Sequence, residues 1–245
     1  MSVSLAAGAL GAVLCGLGAL GVRPAVARLP EPAVDAAERS ADLGAAEPLP
    51  SYAAVAAEPG LTARAVACAV VAGALVGGGV GWSWALLFLL PLVPVGAALA
   101  LVDLRTRLLP SRVVWPALVG VVVLGCLAAG LADEPRALER AVLAAVAVFG
   151  VFFALWWIYP PGMGFGDVRL SGVLGFALGW LGWGEVLVGI YGAFLAFSVP
   201  GGLLALLRRD SRVLRTAYPF GPFLLGGAVV GVVVGGRVWG HLVTG

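Results

Sequence analysis

The sequence predicts an all-α polytopic membrane protein of about eight transmembrane helices, and three observations carry that reading. Of its 245 residues, 61% are hydrophobic and only 11% charged, against about 45–50% and about 25% in soluble domains. Charge-free runs of roughly 18 residues or more recur along the chain, each long enough to cross a hydrocarbon core of ~30 Å. The 15 basic residues, all Arg because Lys is absent, gather on one side of those runs. Such an apolar excess excludes disorder and an ordinary soluble enzyme. The 37 Gly and 16 Pro follow no three-residue period, which excludes a collagen.

The predicted spans are 3–21, 63–81, 84–102, 113–132, 141–159, 168–183, 186–207 and 220–239. The sixth and seventh share one apolar run, Leu170 to Leu207, interrupted only by Glu185. That run is too long for one helix, so Gly182-Trp183-Gly184-Glu185 is expected to form a tight turn with Glu185 solvated in it. Ala25-Val26-Ala27 after the first span looks like a cleavage site, but a signal peptide carries its positive charge before the apolar stretch. Here Arg23 and Arg28 follow it. The first span therefore reads as a retained helix with its N-terminus outside.

In that frame the inner side holds Arg23, Arg28, Arg39, Arg64, Arg105, Arg107, Arg112, Arg169, Arg208, Arg209, Arg212 and Arg215, and the outer side only Arg136, Arg140 and Arg237. Twelve against three sets the orientation by the positive-inside rule. The eight Trp agree as interface anchors, with Trp82, Trp84, Trp180, Trp183 and Trp239 near outer ends and Trp115, Trp156 and Trp157 near inner ends. Two units are expected: residues 1–62, the first helix plus an Ala/Pro/Glu-rich cytoplasmic loop, and residues 63–245, a membrane-embedded domain. The loop, 22–62, has six Pro and six acids (Glu31, Asp35, Glu38, Asp42, Glu47, Glu58). It reads as a partly ordered linker, or else as a small lid or docking element.

Cys15, Cys68 and Cys126 lie inside apolar spans with no Cys-x-x-Cys spacing, and His241 is the single histidine. No metal site, disulfide framework or cofactor is expected from these. The bilayer is the expected surrounding, no nucleic-acid partner is expected, and the sequence sets no oligomeric state.

The chemistry is sought among acids at membrane depth. Ten of the 13 acids fall in loops; Asp103, Asp167 and Glu185 remain. Asp103 ends an outward-to-inward span and Asp167 opens an inward-to-outward one. Topology therefore brings them to the same boundary although they are 64 positions apart. Two carboxyls sharing a site hold one proton between them, so one can activate water while the other hydrogen-bonds a scissile carbonyl. Gly164 and Gly166 before Asp167 allow close approach of an extended peptide. From spacing alone, a catalytic dyad, a transporter-like carrier using both aspartates as proton or cation sites, and purely structural roles all stay open.

Three segments resemble the prepilin leader peptidases, the bacterial type IV prepilin peptidase family of membrane aspartic proteases. Asp103-x5-Leu109-Pro110 resembles the family's Asp-x5-Leu-Pro-Asp. Gly162-Met163-Gly164-Phe165-Gly166-Asp167-Val168-Arg169-Leu170 resembles its Gly-x-Gly-Asp-x-Lys-Leu box, and Tyr218-Pro219-Phe220-Gly221-Pro222-Phe223-Leu224 is similar to its Pro-Phe-Gly-Pro-Phe entry into the last helix. The match runs over roughly 84–240. The resemblance implies that Asp103 and Asp167 are catalytic, with Gly164, Gly166, Arg169, Leu109 and Pro110 binding substrate or supporting the dyad. It also implies cleavage of short basic leaders of prepilin or pseudopilin substrates, at the cytoplasmic face of a bacterial inner membrane. Ser111 stands where the family often has Asp, Arg169 where it has Lys, and the 22–62 loop lacks paired Cys-x-x-Cys motifs. Nothing in the chain supports the N-methyltransferase activity that many members add.

Overall fold

A computed structural model describes residues 4–31, 49–160, 163–208 and 219–244. Residues 32–48 of the loop, Gly162 of the glycine box, and 209–218 with Arg209, Arg212, Arg215 and Tyr218 lie outside the described residues. The elements are α1 (Leu5–Ala19), α2 (Val22–Ala27), α3 (Tyr52–Ala57), α4 (Leu61–Val80), α5 (Leu86–Thr106), α6 (Ser111–Ala132), α7 (Pro135–Ile158), α8 (Phe165–Leu181), α9 (Trp183–Arg208) and α10 (Gly221–Thr244). Six stretches among the described residues are long and apolar enough to cross a membrane: 5–27, α4, α5, α6, α7 and 221–243. The fold is thus the all-α polytopic bundle that the hydropathy predicts.

The other two predicted spans are α8 and α9, and their shape has a physical reason. At 17 residues, α8 is only ~25 Å long, yet every residue from Asp167 to Trp180 except Arg169 is buried. Neighbouring helices shield it from lipid, so its length need not match the hydrocarbon core. Phe88 of α5 meets Phe176 and Trp180 of α8 edge-on at 6.0 and 5.3 Å, which fixes α8 against α5.

Apolar side chains give no net drive between helices in lipid, so close backbone packing must supply it. Small residues spaced four apart do so in two seams. Gly73 and Gly77 of α4 lie against the backbone of α1 at Gly11 and Ala7. Gly231 and Gly235 of α10 lie so near α9 that an added Cβ would come within 2.6 Å of Glu185 O and 2.5 Å of Glu185 Cα.

That second seam overturns the expectation for Glu185. Only Gly182 separates the end of α8 from the start of α9 at Trp183, so Glu185 sits in its first turn rather than in a loop. The glycines of α10 close over it, leaving it 8% exposed.

Arg140, read from sequence as an outer topology signal, is also tied down. Because α7 starts at Pro135 rather than 141, Arg140 lies within it and donates from Nε to Gly179 O at 2.7 Å and from Nη2 to Trp180 O. A guanidinium on the last carbonyls of α8 satisfies orphan acceptors at the negative end of the helix dipole.

The described parts of the loop fold back on the bundle. Tyr52, Val55 and Ala56 of α3 are buried. The Glu31 carboxylate accepts from the N–H groups of Tyr52 and Ala53 at 3.0 and 2.9 Å, while Ser51 Oγ caps Ala54 at 3.1 Å. Arg23 Nε donates to Ala56 O at 3.0 Å. Glu58 then pairs with Arg64 at 2.7 Å and Arg105 at 2.9 Å, strapping α3 to the ends of α4 and α5.

The Arg64 hydrogen bond, with Arg105 behind it, holds the Glu58 carboxyl below its ordinary value of 4.5. A lowered folded value means stability present above about pH 4.5 and lost as pH falls through the folded value. At this half-exposed site Glu58→Gln should cost no more than about 1 kcal/mol at pH 7. The loss should shrink as the pH falls below about 4.5 in detergent melting curves. Arg140→Ala should cost about 1–3 kcal/mol in the same melts, with Arg140→Lys intermediate.

Candidate active site

Helix α5 ends at Thr106 because Arg107 adopts a left-handed backbone (φ 53°), with its N–H on Asp103 O at 2.8 Å. Thr106 Oγ1 bonds Val102 O at 2.9 Å and accepts from Leu108 N–H at 3.3 Å, so the turn is braced from within. Pro110 then stops the extended stretch and caps α6. The tight connector 107–110 leaves Asp103 on the last turn of α5, 4% exposed.

Helix α8 starts at Phe165 with Gly164 as its cap, and the Asp167 N–H donates to Gly164 O at 3.0 Å. Asp167 is therefore in the first turn, at the positive end of the helix dipole, and is 8% exposed. Its Oδ1 is buried with no hydrogen-bond partner. Asp103 and Asp167 come within electrostatic reach of each other, as topology predicts.

The third participant is one the sequence reading quoted within a motif and assigned no role. Gly221, the first residue of α10, donates its N–H to Asp103 Oδ2 at 3.1 Å. A helix N-terminus thus faces each carboxyl. A side chain here would displace the Asp103 carboxyl: an added Cβ would lie 2.8 Å from Asp103 Oδ2 and 3.4 Å from Leu109 Cδ1. The signal that could have found it is the Gly between Phe220 and Pro222, just before an apolar span.

Leu109 is the wedge between the two halves. At Gly166 an added Cβ would stand 2.7 Å from Leu109 Cβ, so the same side chain touches the start of α8 and the start of α10. Gly164 is different, being exposed and offering a Cβ only an ordinary contact, 3.4 Å from Asp167 Oδ2.

Arg169 does not turn to the dyad. Residues two apart on a helix face different ways, and its Nη1 donates to Ser111 Oγ while its guanidinium lies 4.6 Å from the centre of the Phe165 ring. The two positions that depart from the family pattern, Ser111 and Arg169, therefore meet each other and pin the start of α6 to α8. Leu109, Gly166, Asp103 and Asp167 come together at this end of the bundle, with Pro110 following Leu109 as the cap of α6, Arg169 turned to Ser111 and Phe165, and Gly164 at the exposed edge.

Among the described residues no three His, Cys, Asp or Glu side chains gather as a metal would require. What the arrangement offers is a pair of buried carboxyls, suited to moving a proton between water and a polarised carbonyl.

The family model described as type IV leader peptidase family matches residues 90–206, which takes in both aspartates. The prepilin leader peptidase/N-methyltransferase of Aeromonas hydrophila is 32% identical over 168 residues, covering 66% of this chain and 52% of that protein. The corresponding protein of Stutzerimonas stutzeri is 30% identical over 189 residues, 73% of this chain and 58% of its own length. Leader peptidase HopD of Salmonella typhimurium is 33% identical over 163 residues, 63% of this chain and 96% of HopD. The chain thus spans about half the length of the Aeromonas protein. No solved structure matches it.

Gly166→Ala should displace Leu109 and lower stability by about 1–3 kcal/mol in detergent melts, whereas Gly164→Ala should stay within about 0.5 kcal/mol. Adding Leu109→Ala to Gly166→Ala should recover part of the loss, since the two sites share one contact.

Proposed function

We propose that this chain, which belongs to the type IV leader peptidase family, cuts the leader from prepilin- or pseudopilin-like proteins using Asp103 and Asp167. Residues 63–245 form the membrane-embedded peptidase unit of this reading. The observation that carries it is the convergence of two buried carboxyls, from helices 64 positions apart in sequence, on one end of the bundle.

In this mechanism the pair holds one proton and titrates as a unit. The ionised carboxyl takes a proton from water as the water oxygen attacks the scissile carbonyl carbon. The protonated carboxyl hydrogen-bonds the carbonyl oxygen as it gains charge. Collapse of the tetrahedral intermediate breaks the C–N bond, and the leaving amine takes up a proton from the pair. Gly221 N–H holds Asp103 in place through these steps, and Leu109 keeps the two helix starts at a set spacing.

The arginine distribution supports an inner-membrane placement with the N-terminus outside and the dyad at the cytoplasmic face. Arg64, Arg105, Arg112 and Arg169 all belong to the dyad end of the bundle. A carrier would also place two acids at a membrane boundary, but membership of a peptidase family favours hydrolysis.

The test is co-expression with a prepilin, read by the mobility shift on leader removal. Asp103→Asn and Asp167→Asn should each slow processing by about a thousandfold or more, and the double variant little further. Processing at the wild-type rate by either single variant would show that the dyad is misassigned.

A further inference from the structure

Asp103 and Arg105 both belong to the last turn of α5, and residues two apart on a helix point to opposite sides. While the Asp103 carboxyl meets the Gly221 N–H at 3.1 Å, Arg105 reaches back to the strap and donates from Nε to both oxygens of Glu58, at 2.9 and 3.1 Å. The turn that carries Asp103 is therefore gripped on both faces. Glu58 caps α3, and that element is itself anchored. Val55 of α3 is fully buried, Ala56 O accepts from Arg23 Nε, and the Glu31 carboxylate takes the Tyr52 and Ala53 N–H groups. The grip matters because the Gly221 bond, at 3.1 Å, has little slack. Such N–H···O bonds run to about 3.2 Å, so a small outward shift of the end of α5 breaks it.

We propose that Glu58 and Arg105 are positioning residues for the dyad: they hold the far face of the last turn of α5, so that Asp103 stays on the Gly221 amide and at a set distance from Asp167. The inference rests on the cleavage reading above. The alternative is an ion-pair cluster that only fastens α3 to the bundle, and Arg64 separates the two. Arg64 meets the same carboxylate at 2.7 Å, against 2.9 Å for Arg105, and the two arginine side chains are 38% and 44% exposed. Each pair should therefore stabilise the fold to a similar extent. Arg64 stands on α4, however, which carries neither aspartate, whereas Arg105 shares its helix turn with Asp103.

The full chain in lipid bilayers is compared with Arg105→Gln and Arg64→Gln by leader removal from a prepilin over a range of concentrations. Both variants should melt slightly and equally lower. Arg105→Gln should lower kcat by about fivefold with KM unchanged, and Arg64→Gln should leave kcat within about twofold. Exposed ion pairs are screened by salt, so wild-type kcat should fall towards the Arg105→Gln value between about 0.05 and 1 M salt. The kcat of Arg105→Gln should stay flat over the same range. Equal kcat for the two variants, whether both are reduced or both match the wild type, overturns the proposal.

Amide hydrogen exchange reads the same grip without any substrate. In Glu58→Gln the Arg107 N–H, bonded to Asp103 O at 2.8 Å, should exchange about fivefold faster, while amides in the middle of α5 keep their wild-type rates. Unchanged exchange at Arg107 overturns the grip on α5 whatever the cleavage result. Faster exchange in a protein that removes no leader leaves the grip standing and overturns the cleavage reading instead.

Discussion

Burying two carboxyl groups together is the constraint on which this bundle depends. Among the described residues the ion pairs join only Glu58 to Arg64 and Arg105, and both aspartates are more than nine-tenths buried. An uncompensated buried charge costs several kcal/mol. The compensation comes from backbone: α10 offers the Gly221 N–H to Asp103, and α8 begins around Asp167. Each helix start carries roughly half a positive charge. The ends of α8 and α10 must therefore meet the end of α5, and the Leu109 contacts at that end serve this meeting.

Glycine makes the meeting sterically possible, and Leu109 makes it definite. Side chains at Gly166 and Gly221 would push the wedge out and the helix starts apart. The opposite end of α8 is held as firmly, by Arg140 on its last carbonyls. A short central helix pinned at both ends and packed on Phe88 gives Asp167 little freedom to move relative to Asp103. In the proposed mechanism, a group that hands a proton to a bound peptide gains from such preorganisation.

Much of this was legible without coordinates. The spans, their order and the meeting of Asp103 with Asp167 follow from hydropathy and from the alternation of direction across a bilayer. Other features were not legible, for reasons that are physical. Glu185 looked solvated because it interrupts an apolar run, yet burial depends on how closely α10 approaches, and glycine spacing sets that only when the partner helix is known. Arg140 looked like a topology signal because its carbonyl partners, 39 positions or more away, leave no mark in composition. Ser111 and Arg169 read as two separate departures from a family pattern, and only their contact shows them to be one staple. Glu31 and Glu58 looked like charges on a linker, although helix capping and ion pairing turn the described part of that loop into a strap.

The sequence by itself determined that the chain is an all-α polytopic membrane protein and which two acids share a boundary. Those properties depend on hydrophobicity and direction, which add up residue by residue. Tertiary structure alone decided what surrounds the acids: the Gly221 amide, the Leu109 wedge and the Arg169 staple. Those depend on distances of a few ångströms between helices far apart in the chain, and local pattern carries no measure of such distances.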